Sequence, residues 1–126
     1  MRLLQLIFLM IIVVSCPVID PGYDYGQAAW IEDVAIESIG VQKIVFICSI
    51  VGGTACYKHQ SFEIQYTDSA KIISALARVY QGPDCCFVEN YYDEPCTVSV
   101  ENEGLHRFMF TGLDESLDTT ILVEWE

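Results

Sequence analysis

Cys56 and His59 are the pair in this chain whose types and spacing come closest to covalent chemistry. A thiolate beside an imidazole can act as a nucleophile with its own base. Three residues apart on an extended strand, however, side chains point to opposite faces, so the pair needs a turn to meet. Without that turn, Cys56 is a bridged structural cysteine next to a surface histidine. Adjacent Cys85 and Cys86 offer a second thiol pair, but neighbouring cysteines seldom bridge each other without strain. His106 shares an alternating face with Phe108 and Phe110, where it would be partly buried and hydrogen-bonded. A zinc site usually shows a C-x₂-C knuckle or paired histidines, and the chain has neither. It also has no G-x-S-x-G elbow, H-E-x-x-H helix or Gly-rich phosphate loop. The residues therefore imply no catalytic group and no cofactor.

Two acidic loops remain. Glu89, Asp93 and Glu94 flank Tyr91-Tyr92, and Asp114, Glu115 and Asp118 form the second. Calcium takes oxygen ligands from such clusters. Neither loop carries the spacing of a calcium-binding hand, so Asp114, Glu115 and Asp118 are a weak metal candidate and a solvated loop is the plainer reading. Tyr57, Phe87, Tyr91 and Tyr92 lie in turn-rich sequence near the cysteines. Loop aromatics on a stapled scaffold make a possible binding face, or else they cap the core.

Residues 3–14 form an apolar run broken only by Gln5, with Arg2 before it. A run of about a dozen residues suits a signal peptide. It is too short for a bilayer core, which takes roughly 20. The run ends Val13-Val14-Ser15-Cys16, which resembles a bacterial lipobox. That resemblance implies cleavage before Cys16 and a diacylglyceryl group on its thiol. The rival reading is an ordinary secretory signal cut near Ser15. Residues 17–27, rich in Pro, Gly and Asp, read as a flexible tether, and residues 28–126 as one domain.

An exported chain meets an oxidising compartment, where cysteines pair. Five cysteines follow Cys16, an odd number. Cys48 lies within the apolar run Val45-Phe46-Ile47-Cys48-Ser49-Ile50 and suits a free, buried thiol. Cys56, Cys85, Cys86 and Cys96 are then the disulfide candidates. The expected scheme joins Cys56 to one of the adjacent pair and Cys96 to the other. Of 126 residues, 18 are acidic and 6 basic, a net charge of −12. All the acids follow Cys16, whereas Arg2 precedes it. Such a balance excludes nucleic acid and anionic headgroups as partners. It fits a soluble, self-repelling surface.

The elements that would hold these residues read as strands. Residues 34–39 alternate up to Gly40. Residues 42–51 are β-branched and continuously apolar, as for a central strand buried on both faces. Phe62, Ile64 and Tyr66 alternate with Glu63 and Gln65, the clearest half-buried strand in the chain. Residues 70–80 fit either a helix stripe or a strand face, and the tight Asp68-Ser69 link favours a hairpin strand. A helix there would make the fold α+β. Residues 97–100, 105–111 and 119–125 complete about seven short strands, the pattern of an all-β antiparallel sandwich stapled by disulfides.

The run Gly104-Leu105-His106-Arg107-Phe108-Met109-Phe110 resembles a late strand of immunoglobulin-like and fibronectin-like domains. With Gly52-Gly53-Thr54-Ala55-Cys56-Tyr57 and Cys85-Cys86, the chain resembles small exported lipoproteins of Bacteroidetes-type bacteria. The resemblance covers much of residues 41–125 and supplies no catalytic residue. It implies a lipid-anchored module of the cell envelope, facing the periplasm or the outside. Such a module would be non-enzymatic and would meet a protein or glycan partner. The competing expectation is a secreted enzyme inhibitor, or a small thiol- or metal-dependent enzyme, using Cys56 and His59 or the Cys85-Cys86 loop.

Overall fold

The computed structural model describes residues 22–80 and 87–125. Residues 1–16 with Cys16, and the Cys85-Cys86 pair, lie outside them. Seven strands follow one another: β1 Tyr23–Gly40, β2 Lys43–Gly52, β3 Tyr57–Tyr66, β4 Lys71–Tyr80, β5 Asn90–Ser99, β6 Gly104–Phe110 and β7 Leu117–Val123. They form one mixed sheet in the order β5-β2-β1-β4-β6-β7, with β3 also paired to β4. The sheet curls into a half-barrel.

The all-β expectation holds, as does the number of strands. The architecture departs from an antiparallel immunoglobulin-like sandwich: the strands share one sheet, and β4 and β6 run parallel, Lys71 opposite Phe108 and Ile73 opposite Phe110. Residues 71–80 are strand, not helix. As a strand, they bury Ile73, Ala75, Ala77 and Val79 on one face. One edge of β4 pairs with β3; β1 and β6 also pair with β4. Those pairings outweigh the local helix stripe. Strand β1 begins at Tyr23, inside the stretch expected as tether. There it pairs with the end of β4, and the rings of Tyr23 and Tyr80 lie 5.5 Å apart.

The core sits in the concave face. Phe46 of β2 meets Phe108 and Phe110 of β6 edge-on, with centroids 5.1 Å apart in both pairs. Ile31, Ile44, Ile73, Val98 and Val123 close around them with no exposure. Each such side chain contributes roughly 1.5–3 kcal/mol by leaving water. Strand β2 is central but not buried on both faces: Ile44, Phe46, Cys48 and Ile50 point in, while Val45, Ile47 and Val51 are half-exposed on the convex side.

Strands β3, β5 and β7 each pair on one side alone among the described strands. Pro95 lies in β5, where a residue without an N–H fits because β5 is an edge. Between β1 and β2 the chain turns through Val41-Gln42. Gln42 adopts φ 59°, a left-handed conformation that L-residues with a side chain enter at a cost. Its carbonyl accepts a hydrogen bond from Val100 N at 3.0 Å, which ties this turn to the exit of β5.

Candidate functional site

The edge strands β3 and β5 approach each other along a seam. At one end, Asn90 Nδ2 donates to the Tyr57 carbonyl at 2.6 Å. At the other, Ser99 N donates to the Tyr66 hydroxyl at 3.3 Å. Both bonds join the start of one strand to the start of the other, or end to end, so the strands run alongside in the same direction. Between the ties, side chains fill the seam.

A register break in β3 decides which ones. Pairing with β4 shifts between His59 and Ser61, the signature of a bulge around Gln60. The bulge puts His59 and Phe62 on one face although they are three residues apart. Their rings lie 4.7 Å apart, and the His59 ring lies 6.0 Å from that of Tyr92 on β5. The Gln60 side chain accepts a hydrogen bond from Gly26 N at 2.6 Å, where β1 has its own register shift and Gly26 has φ 70°.

Two polar atoms in this aromatic cluster, His59 Nδ1 and the Tyr92 hydroxyl, are buried without a hydrogen-bond partner among the described residues. Burial holds His59 below the ordinary histidine range, against the opposing pull of Glu94. Burial also pushes the Tyr92 phenol up, with Glu94 adding to it. The pair is thus a neutral imidazole and a neutral phenol, each with unused hydrogen-bonding capacity. An unsatisfied buried group costs about 1–3 kcal/mol.

Tyr57 closes the seam's upper end. It packs against Gly52, where a Cβ would lie 2.3 Å from the Tyr57 Cβ, and its hydroxyl reaches over Gly53. The Gly52-Gly53 dipeptide is therefore the seat of Tyr57.

The expected binding face divides. Tyr57 and Tyr92 come together in the seam. Tyr91 points to the convex side, where its hydroxyl donates to Glu89 and its phenol is pushed up by that bond. Phe87 is 95% exposed in the loop before β5. Cys56 sits in the turn ahead of β3, and its amide donates to Thr54 Oγ1 at 3.2 Å. Its expected partners Cys85 and Cys86 lie outside the described residues. The His59 ring is occupied by Phe62 and Tyr92.

Cys96 departs from the disulfide scheme. It is a free thiol, 2% exposed, in the core beside the free thiol of Cys48. Alternation explains this: Cys96, Val98 and Val100 share the inward face of β5, and Cys96 stands opposite Phe46. The hydrogen bond to Cys96 and burial both push the Cys48 thiol far up, so it stays protonated. Of the two cysteines, Cys48 alone is placed as expected, buried and free.

The weak calcium candidate does not assemble. Asp118 is engaged by Arg107, whose Nε donates to Oδ1 at 2.9 Å. Among the described residues, no three His, Cys, Asp or Glu side chains are grouped to hold a metal ion. His106 is half-buried and hydrogen-bonded, as its place in the alternation predicts: it contacts Lys71 and the Asn102 carbonyl. The seam itself was missed because its members come from two strands. The parity change between Tyr57/His59 and Phe62/Ile64 was the one signal that could have found it.

Comparison with protein-family models, curated proteins and solved structures found no match to this chain.

Proposed function

We propose that the chain is a lipid-anchored module of a bacterial cell envelope that recognises a protein or glycan partner through the β3/β5 seam. The observation that carries this reading is the pair of buried, unpartnered polar atoms, His59 Nδ1 and the Tyr92 hydroxyl, set with the half-buried Tyr57 and Phe62 between the edge strands β3 and β5. A partner that supplies a donor or acceptor there satisfies groups that folding alone leaves unpaired. Aromatic side chains around such groups supply contact area at low entropic cost.

The lipobox-like end at Cys16 supports the anchor, and the resemblance to small exported lipoproteins supports the envelope. Two acyl chains meet the requirement for stable anchoring. A bridge from Cys56 to Cys85 or Cys86 belongs to the same reading, since it would pin the loop before β5 to the turn before β3 and so brace the seam. The role is recognition, without catalysis.

The test is site-specific photo-crosslinking in the native host. A photoreactive phenylalanine at Tyr92 is expected to give a discrete adduct, and the same probe at Thr120 on β7 none. Equal labelling at both positions, or none at Tyr92, would reject the seam as the recognition face.

A further inference from the structure

At the far end of the half-barrel, the β3–β4 turn and the β5–β6 loop enclose a second cleft of about 690 Å³. Thr67 shapes its wall. Its hydroxyl donates to the Ala70 carbonyl at 2.7 Å and accepts from Ala70 N at 3.0 Å, fixing the turn that carries Asp68. The volume falls within the roughly 300–1,000 Å³ of small-molecule sites.

Lys71 is the basic residue of this cleft. Its Nζ lies 3.2 Å from His106 Nδ1 and 5.8 Å from the centre of the Phe108 ring. An ammonium can only donate, so His106 Nδ1 accepts. A backbone carbonyl can only accept, so His106 Nε2 donates to the Asn102 carbonyl, at 2.6 Å. His106 is thereby held between the Asn102 carbonyl and Lys71, and it aims the ammonium. Only one of the three ammonium donors is used on it. In a chain with 18 acids against 6 bases, Lys71 makes no ion pair among the described residues; that pairing belongs to Arg107 and Asp118. Asp68 and Glu101 nevertheless line the same cleft.

A pocket that keeps an ammonium apart from its own carboxylates presents both charges to a ligand. We infer that this cleft binds a small basic amino acid. The ligand's carboxylate meets Lys71, its amines meet Asp68 and Glu101, and the Tyr66 ring forms the side wall. Two carboxylates against one ammonium favour a ligand with net positive charge. The cleft adjoins the seam at the Ser99–Tyr66 tie, but Lys71, Asp68 and Glu101 take no part in the His59–Tyr92 cluster.

Two-dimensional NMR of the full chain, titrated with L-lysine, tests this. Saturable shifts are expected at the amides of Asp68, Lys71 and His106. Acetate alone and n-butylamine alone should each bind at least about tenfold more weakly, because each lacks one charge. Lys71→Met and Asp68→Asn should each weaken L-lysine binding by about tenfold. Should Lys71→Met fail to fold, Asp68→Asn and Glu101→Gln on exposed positions decide the matter. Absence of saturation, an equal response to acetate or butylamine, or binding untouched by the substitutions would overturn the assignment.

Discussion

Replacing Tyr92 with phenylalanine removes one oxygen and leaves the ring. In most buried tyrosines that oxygen is bonded, and its loss destabilises. Here it is buried with no hydrogen-bond partner among the described residues, so the folded state has surrendered the hydroxyl's water contacts and received nothing in return. The penalty for such a group is about 1–3 kcal/mol. The Phe62–His59–Tyr92 ring stack is untouched by the change. Tyr92→Phe is therefore expected to stabilise the domain by about 1 kcal/mol. For a domain of this size that corresponds to a rise in Tm of roughly 4–8 °C. Urea unfolding should show a higher midpoint at unchanged slope. Tyr91→Phe is the control: its hydroxyl bonds Glu89 in solvent, and the change should stay within about 0.5 kcal/mol. The same Tyr92→Phe protein should bind its partner less well, since the oxygen is retained for that contact. A loss of 1 kcal/mol or more in Tyr92→Phe would mean that the hydroxyl is satisfied in the folded protein, and the reasoning would fail.

Three further outcomes follow from the same geometry. Burial lowers the pKa of His59 from the ordinary 6.5, so the unfolded chain binds the proton more readily. The cost of protonation is absent above 6.5, grows as pH falls below it and is complete below the depressed folded value; His59→Gln should flatten urea midpoints across that window. Gln42→Gly relieves the left-handed φ of 59° and should stabilise the β1–β2 turn by up to about 1 kcal/mol, read by thermal unfolding. Gly52→Ala places a Cβ 2.3 Å from that of Tyr57, so it should destabilise by about 1–3 kcal/mol and shift the Tyr57 ring resonances; an unchanged spectrum would remove Gly52 as the seat.

Much of the fold was legible because alternation is a local signal. The run with Phe62 and Ile64 and the run with Phe108 and Phe110 both reveal their inward faces directly. Residues 70–80 were ambiguous because Ile72, Ile73, Leu76, Ala77 and Tyr80 fit a helix stripe while Ile73, Ala75, Ala77 and Val79 fit a strand face; the pairing of β4 with its neighbours decided for strand. The start of β1 was hidden by Gly22 and Gly26, which read as linker although Gly26 serves a register shift. Alternation says nothing about which strands are neighbours, so neither the parallel β4–β6 pair nor the curl could be read. Cys96 was assigned by the oxidising compartment when its phase with Val98 and Val100 already placed it inward. Lys71 and His106 are 35 positions apart, and nothing local joins them.

Intact-mass spectrometry of the protein from its native membrane fraction decides whether this is an anchored, braced recognition module. A chain beginning at Cys16 with a diacylglyceryl or triacyl increment is expected. Without reduction, Cys48 and Cys96 should resist alkylation until the protein is denatured, with Cys56 bridged to Cys85 or Cys86. An unmodified chain beginning beyond Cys16, or thiols at Cys48 and Cys96 that alkylate readily in the native state, would contradict it.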